Sequence, residues 1–155
     1  MFKVDCSQHA LVEGVQVVSR GVSGRSTQPV QNNVYLEARA GELRLVATDL
    51  EYLSLEAVLE ADVAEEGATT VPARLLSEVV SALPNERVSL AADETHSMNI
   101  ECARSRYEIR GLSAADFTML PALGEAVRFE LPQSQLATVL ERTVFATSRD
   151  ETRPI

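Results

Sequence analysis

Thirteen of the 14 basic residues in this chain are arginine, and Lys3 is the single lysine. A guanidinium is planar, always charged and presents fixed donors that match the oxygens of carboxylates and phosphates. Arg20, Arg25, Arg74, Arg142, Arg149 and Arg153 fall on or just after predicted helices. The acids crowd predicted loops and strand ends, as in Glu60-Ala61-Asp62-Val63-Ala64-Glu65-Glu66 and Asp93-Glu94. A formal charge of −9 argues, by itself, against nucleic acid as a partner. Net charge is a weak guide when the two signs can occupy different surfaces. The distribution predicts one basic surface on an acidic body.

Catalytic constellations are weak. Asp49 and Glu51 straddle a strand junction, and Asp93-Glu94-Thr95-His96 has the residue types of an acid–base or metal cluster. Hairpin turns are normally acidic and polar, however, and no second ligand set follows at suitable spacing. Gly21-Val22-Ser23-Gly24 lacks both the Gly-x-Ser-x-Gly elbow of hydrolases and the Gly-Lys-Ser/Thr ending of a phosphate loop. Cys6 and Cys102 lie far apart with no thiol or histidine at ligand spacing, which reads as two reduced, partly buried thiols. His9, near a helix start, reads as a surface residue. The chain is expected to be no enzyme and to need no metal or cofactor.

The elements that must position these arginines follow from periodicity. Apolar residues make up 45% of the chain and charged residues 24%, the balance of a globular protein rather than a disordered one. No apolar run approaches the length of a membrane span, and the N-terminus has no signal-peptide pattern. Residues 2–5 read as a strand, with Asp5 or Ser7 able to cap the helix that follows. Leu11, Val15, Val18 and Val22 mark its apolar face, Gly21 and Gly24 end it, and Pro29 bars its return. From Asn33 the period changes to two: Val34, Leu36 and Ala38 alternate with polar residues, Gly41-Glu42 turns the chain, and Leu43–Ala47 returns. Tyr52–Leu59 makes a third strand, and the acidic stretch through Gly67 reads as a loop.

The same grammar then recurs. Thr69-Thr70-Val71 is a strand, Pro72 a favourable first helical residue, and Leu76, Val79, Val80 and Leu83 an apolar helix face that Pro84-Asn85 stops. Strands follow at Arg87–Ala91, Met98–Cys102 and Arg106–Leu112. The fold class expected is α+β, with two tandem β-α-β-β-β units in residues 1–112 (about 1–60 and 68–112) and helices on one face of antiparallel sheets. Residues 113–126 read as a linker.

A longer repeat is also present. Shifted by 125 positions, Leu11–Val30 falls on Leu136–Ile155, matching Leu11 with Leu136, Val15 with Leu140, Ser23 with Ser148, Thr27 with Thr152 and Pro29 with Pro154. Phe2-Lys3-Val4 is echoed by Phe129-Glu130-Leu131, so a second strand and a helix over Gln133–Thr147 are expected. Such a period means tandem domains, and predicts one complete domain followed by the opening of a second at 127–155.

Taken together, VSRGVSGRSTQPVQNNVYLEA (18–38), ATDLE (47–51), TTVPARLLSEVVSALP (69–84), CARSRYEIRGL (102–112) and LSAADFTMLP (112–121) resemble the bacterial sliding clamp, the beta subunit of DNA polymerase III. The resemblance implies three similar domains per chain and two chains closing head to tail around double-stranded DNA, with helices lining the hole and sheets outside. It further implies a non-catalytic processivity factor that tethers a replicative DNA polymerase, is opened by a clamp-loader ATPase and works in the bacterial cytoplasm at the nucleoid. No membrane partner is implied.

On this resemblance Arg25 and Arg74 match DNA-contacting positions, and Arg149 and Arg153 occupy the equivalent loop of the second domain. There Asp150 aligns with Arg25, so the lining is not uniform. Arg20 and Arg142 are placed by helical geometry alone. Leu75, Arg104, Arg106 and Tyr107 fall in the region that the resemblance assigns to the subunit interface of a homodimer. The competing reading is a protein–protein scaffold module that uses the same fold without DNA. Arginines gathered on one face favour the first and arginines scattered over the body favour the second.

Overall fold

The computed structural model of the chain describes residues 2–22, 29–50, 53–119, 127 and 129–148. Strand β1 (Phe2–Ser7) leads straight into helix α1 (Gln8–Val18). Of the two candidate caps, Ser7 is the one used: its Oγ accepts the Ala10 N–H at 3.2 Å, satisfying a donor that the first turn leaves unpaired. Helix α1 buries Leu11, Gly14, Val15 and Val18 and closes in a 3-10 turn, Ser19–Gly21. Gly21 suits the close approach there, since a Cβ would lie 3.1 Å from the carbonyl oxygen of Ala47. Another 3-10 turn, Pro29–Asn32, leads into strands β2 (Asn33–Arg39), β3 (Glu42–Thr48) and β4 (Ser54–Glu60).

The acidic stretch read as a loop is in fact strand β5 (Asp62–Glu65), which pairs with the outer edge of β1. The sequence hid it because its pattern is exposed on nearly every residue, as an edge strand allows. Strand β6 (Gly67–Pro72) is longer than expected and takes in Pro72, which stands at the cap position of helix α2 (Ala73–Ala82) rather than inside it. Strands β7 (Arg87–Ala92), β8 (Ser97–Cys102) and β9 (Ser105–Arg110) complete the first unit.

The two tandem halves are not separate sheets. One sheet runs β5-β1-β7-β8-β9 and the other β4-β3-β2-β6, all neighbours antiparallel. Each half therefore lends its first strand to the other: β1 pairs with β7 from Phe2↔Ala92 to Ser7↔Arg87, and β6 pairs with β2 from Asn33↔Pro72 to Ala38↔Gly67. Leu11, Val15, Leu36, Leu45, Leu76, Leu90 and Ile100 are fully buried in one core shared by both halves. Burial of each such side chain contributes about 1.5–3 kcal/mol.

A short polar chain joins the two sheets at one end. Asn33 Nδ2 donates to Thr70 Oγ1 at 3.0 Å, and Thr70 Oγ1 donates to the Leu112 carbonyl at 3.0 Å. Thr70 and Leu112 also exchange both backbone hydrogen bonds. The following residues, which read as linker, pack back on this unit through a 3-10 turn (Ala114–Asp116) and the half-stacked pair Tyr35–Phe117, with ring centroids 5.3 Å apart. Backbone contacts divide the chain into two compact units, Met1–Pro121 and Ala122–Ile155.

In the second unit, helix α3 (Gln133–Thr143) and a 3-10 turn (Val144–Ala146) repeat α1 and its closing turn at the same 125-residue shift. The helix stops four residues short of Thr147. Phe129, Glu130 and Leu131 form no strand, contrary to the expectation. A strand is held by its ladder, and among the described residues these three have no strand partner, whereas β1 has β5 and β7. Leu136, Leu140 and Val144, the apolar stripe of the helix and its closing turn, are about half exposed.

The junction of the sheets can be tested at Gly111. A Cβ there would lie 2.1 Å from the Thr70 carbonyl oxygen and 2.8 Å from that of His96, both backbone atoms. Gly111→Ala should cost about 1–3 kcal/mol as an overpacked site, read as a lowered urea midpoint. A midpoint equal to the parent's would show that this strand end is free to move.

Candidate nucleic-acid and subunit interfaces

Helices α1 and α2 pack side by side, and one side chain fixes their direction. Gln8, at the start of α1, donates Nε2 to the carbonyls of Val80 at 2.9 Å and Leu83 at 3.3 Å, at the end of α2. The pair is therefore antiparallel. Arg20, in the turn closing α1, and Arg74, in the first turn of α2, come to the same end of it, where that turn touches α2. Arg74 is almost fully exposed, and its Nε donates to Glu78 Oε1 at 2.8 Å across one helical turn. That hydrogen bond raises the guanidinium's pKa further, so the charge is permanent; the partner is solvent-exposed and can yield to an incoming phosphate. Arg25, Arg149 and Arg153 lie outside the described residues, and Arg142 stands exposed in the last turn of α3.

The described arginines do not form a single field. Arg44 is held by Glu56 (Nε to Oε1 2.9 Å, Nη2 to Oε2 3.0 Å) and by Glu37 at 3.3 Å, on the sheet surface away from the helices. Those bonds raise the Arg44 pKa and hold the Glu56 carboxyl below its usual range. Arg87 pairs with Asp62, and Arg106 with Glu101. The helix surface itself carries Glu13 and Glu78 beside Arg20 and Arg74. On the helix pair itself, the described arginines are Arg20 and Arg74 at one end.

A second group gathers at β9, the end strand of the five-stranded sheet. Tyr107 pairs with Ile100 in register, on the face where α2 packs, and is 37% exposed. Leu75 on α2 is 47% exposed. Arg104 stands in the turn before β9, and Arg106 and Arg110 lie on its outer face, all exposed. These four interface candidates, Leu75, Arg104, Arg106 and Tyr107, are therefore brought to one edge of the unit. An unpaired edge with apolar and basic side chains beside it is a template for another chain.

The acid–base candidates have structural work. Asp93 Oδ1 accepts from Thr95 N–H at 2.8 Å, the Thr95 hydroxyl at 2.7 Å and Ser97 N–H at 3.1 Å, building the β7–β8 turn; the Thr95 hydroxyl leads in holding its pKa down. Asp49 Oδ1 accepts the Leu53 N–H at 2.8 Å in the turn before β4. Among the described residues no three His, Cys, Asp or Glu are placed to hold a metal. No described helix is long and apolar enough to cross a membrane. Burial pushes the Cys6 thiol up to about 12, with Asp5 adding to it.

The first unit is thus an α+β domain with duplicated halves and an antiparallel helix pair packed on two antiparallel sheets. Residues 2–121 match the family model of the DNA polymerase III beta subunit, N-terminal domain. The beta sliding clamp of a Synechocystis species is 40% identical over 99% of this chain, and that of Escherichia coli 33% identical over 97%. A solved sliding clamp from Bacillus subtilis superposes with a TM-score of 0.93 at 27% identity, covering 99% of this chain and 42% of that one. The Pseudomonas aeruginosa DNA polymerase III subunit beta gives 0.90 at 31%, covering 97% and 41%. The chain belongs to the DNA polymerase III beta subunit family and carries its N-terminal domain. It spans about 41% of the length of the curated relatives named here.

Thiol chemistry offers a direct check on the burial of the two cysteines. With Cys6 buried and its pKa near 12, and Cys102 also buried with a raised pKa, a disulfide-exchange reagent at pH 8 should label neither cysteine in the folded chain and both in urea. Rapid labelling of Cys6 in the native protein would contradict this burial. The linkage has a definite sign: the buried thiol stabilises the fold below pH 9 and loses that contribution as pH rises toward 12.

Proposed function

We propose that this chain is the N-terminal part of a DNA polymerase processivity factor, a ring that encircles duplex DNA without reading its sequence and tethers the replicative polymerase. The observation that carries the reading is the family match over residues 2–121, joined to the meeting of Arg20 and Arg74 at one end of the helix pair. Phosphate contacts hold and orient without carrying sequence information, which suits a ring that must slide. Arg25, which lies outside the described residues, is proposed as a phosphate contact on the sequence resemblance alone. Arg149 and Arg153 take the equivalent loop of the second domain. The two arginines fully described there are exposed, as a groove for a polyanion needs.

The domain reading proposed is a first clamp domain over residues 1–112, a connection over 113–126 and the opening of a second domain over 127–155; the family match itself runs on to residue 121. The β9 edge, with Leu75, Arg104, Arg106 and Tyr107, is the contact surface for another subunit of a head-to-tail homodimer ring. A clamp-loader ATPase would open that ring, and the setting is the bacterial cytoplasm at the nucleoid.

A scaffold module without DNA is the second reading. It is favoured by one observation: Arg44, Arg74, Arg87 and Arg106 are each paired with an acid, so much of the positive charge is internally compensated.

Salt-dependent binding to duplex DNA of random sequence separates the two. The parent chain should bind weakly and without sequence preference, and Arg25→Ala with Arg74→Ala should lower the slope of log K against log salt by about one unit for each phosphate no longer neutralised. Binding of the double variant equal to the parent's at low salt would remove these arginines from the DNA surface and favour the scaffold.

A further inference from the structure

Where the two sheets meet, an open cleft of about 680 Å³ lies between the 3-10 turn that begins at Pro29, the start of α2 and the end of β9. Its volume is within the range of small-ligand sites. Pro29, Pro72 and Leu112 give it apolar walls, and Arg110 is the one charged residue among the described residues that line it. Leu112 is 38% exposed, so the apolar wall stands open to solvent. Unlike Arg44, Arg74, Arg87 and Arg106, Arg110 meets no acid among the described residues.

One wall of the cleft is chemically specified. Asn33 lines it and is only 3% exposed. The Thr70 hydroxyl has a single proton, which it donates to the Leu112 carbonyl, so from Asn33 it accepts. Nδ2 of Asn33 therefore faces Thr70, and Oδ1 is left as the uncommitted end of the amide. Among the described residues nothing donates to that oxygen. It is not one of the two fully sealed orphan oxygens, Ser19 Oγ and Thr69 Oγ1, so it keeps access to the surface that Asn33 lines. An acceptor this deep is costly to leave unmet, and the site favours a ligand that brings an N–H. The nearby backbone donors are already spent, the Gly111 N–H on the His96 carbonyl and the Leu112 N–H on the Thr70 carbonyl. An anion in this cleft has the Arg110 guanidinium as its charged partner.

We propose that the cleft binds the carboxyl-terminal residue of a peptide, with the terminal carboxylate on Arg110, the N–H of the same residue on Asn33 Oδ1, and an apolar side chain against Pro29, Pro72 and Leu112. A terminal residue carries all three groups close together, and capture of a chain end through its carboxylate is a recurring mode of peptide recognition. A sugar–phosphate backbone fits less well, because it offers no N–H to Asn33 and nothing to the apolar walls.

Titration of the isotope-labelled 155-residue chain with N-acetyl-leucyl-leucine tests it, following the backbone amides of Asn33, Gly111 and Leu112 and the Asn33 side-chain amide by nuclear magnetic resonance. These signals should shift together and saturate. The carboxamide form of the peptide should bind at least about tenfold more weakly, and Arg110→Gln should weaken the free acid to the same extent, since each removes a charge-assisted contact. Arg110 is exposed, and unchanged signals away from the cleft will confirm that its variant is folded. Replacing the last peptide bond by an ester removes only the N–H and should weaken binding about three- to tenfold. Equal binding of acid and carboxamide, or of peptide and ester, overturns the proposal, as does the absence of any shift at the three amides. If isocaproate, an apolar carboxylate without an N–H, binds as well as the peptide, the ligand is a free carboxylic acid and not a chain end. A short DNA duplex that shifts the same amides where the peptide does not would assign the cleft to DNA and likewise overturn the proposal.

Discussion

The exchange of first strands between the two halves is the constraint on which the rest of this domain depends. Strand β1 cannot complete a ladder with its own half, and its backbone donors and acceptors are met by β7 from the other half and by β5. Strand β6 makes the reciprocal contribution to β2. Because a buried strand without its ladder leaves unpaired polar groups, neither half can be stable while the other is unfolded. The shared core, in which Leu11 and Val15 of one helix and Leu76 and Val80 of the other are all sealed from solvent, enforces the same cooperativity through apolar burial.

That exchange also decides what is left exposed. With their first strands traded, the two halves present their last strands, β4 and β9, as the end strands of separate sheets. Each helix lies beside one of these edges, so the domain offers two outward surfaces of common ancestry and different composition. On the helix side, the antiparallel arrangement held by Gln8 brings the C-terminal turn of α1 and the N-terminal turn of α2 to one place. Arg20 and Arg74 are more than fifty residues apart in sequence, yet they share an end of the helix pair. One framework thus presents one helix end and two sheet edges outward.

Ion pairing tempers the electrostatic picture. The chain's acidity is not merely displaced to distant loops, because Glu56, Glu78, Asp62 and Glu101 each meet a described arginine. Exposed pairs of this kind contribute about 0–1 kcal/mol and are screened by salt, so they do little for stability. They do hold each guanidinium in one orientation beside its acid.

Much was legible in the sequence. The alternation of Val34, Leu36 and Ala38, the helical stripes of Leu11–Val15–Val18 and Leu76–Val80–Leu83, and the 125-residue echo that places α3 on α1 are all local or strictly periodic signals. Family membership was equally readable, since it rests on segments spread through the whole first domain. What needed tertiary structure was everything set by pairing between distant residues. Strand β5 has no apolar pattern and exists because β1 offers it an edge, whereas Phe129–Leu131 has the pattern of β1 and forms no strand among the described residues because no ladder partner meets it. Periodicity reports which face of an element is apolar; it does not report which strand will lie beside it. The strand exchange, the arrival of Arg20 and Arg74 at one end of the helix pair, and the pairing of four arginines with acids all depend on that second kind of information, which only the folded chain contains.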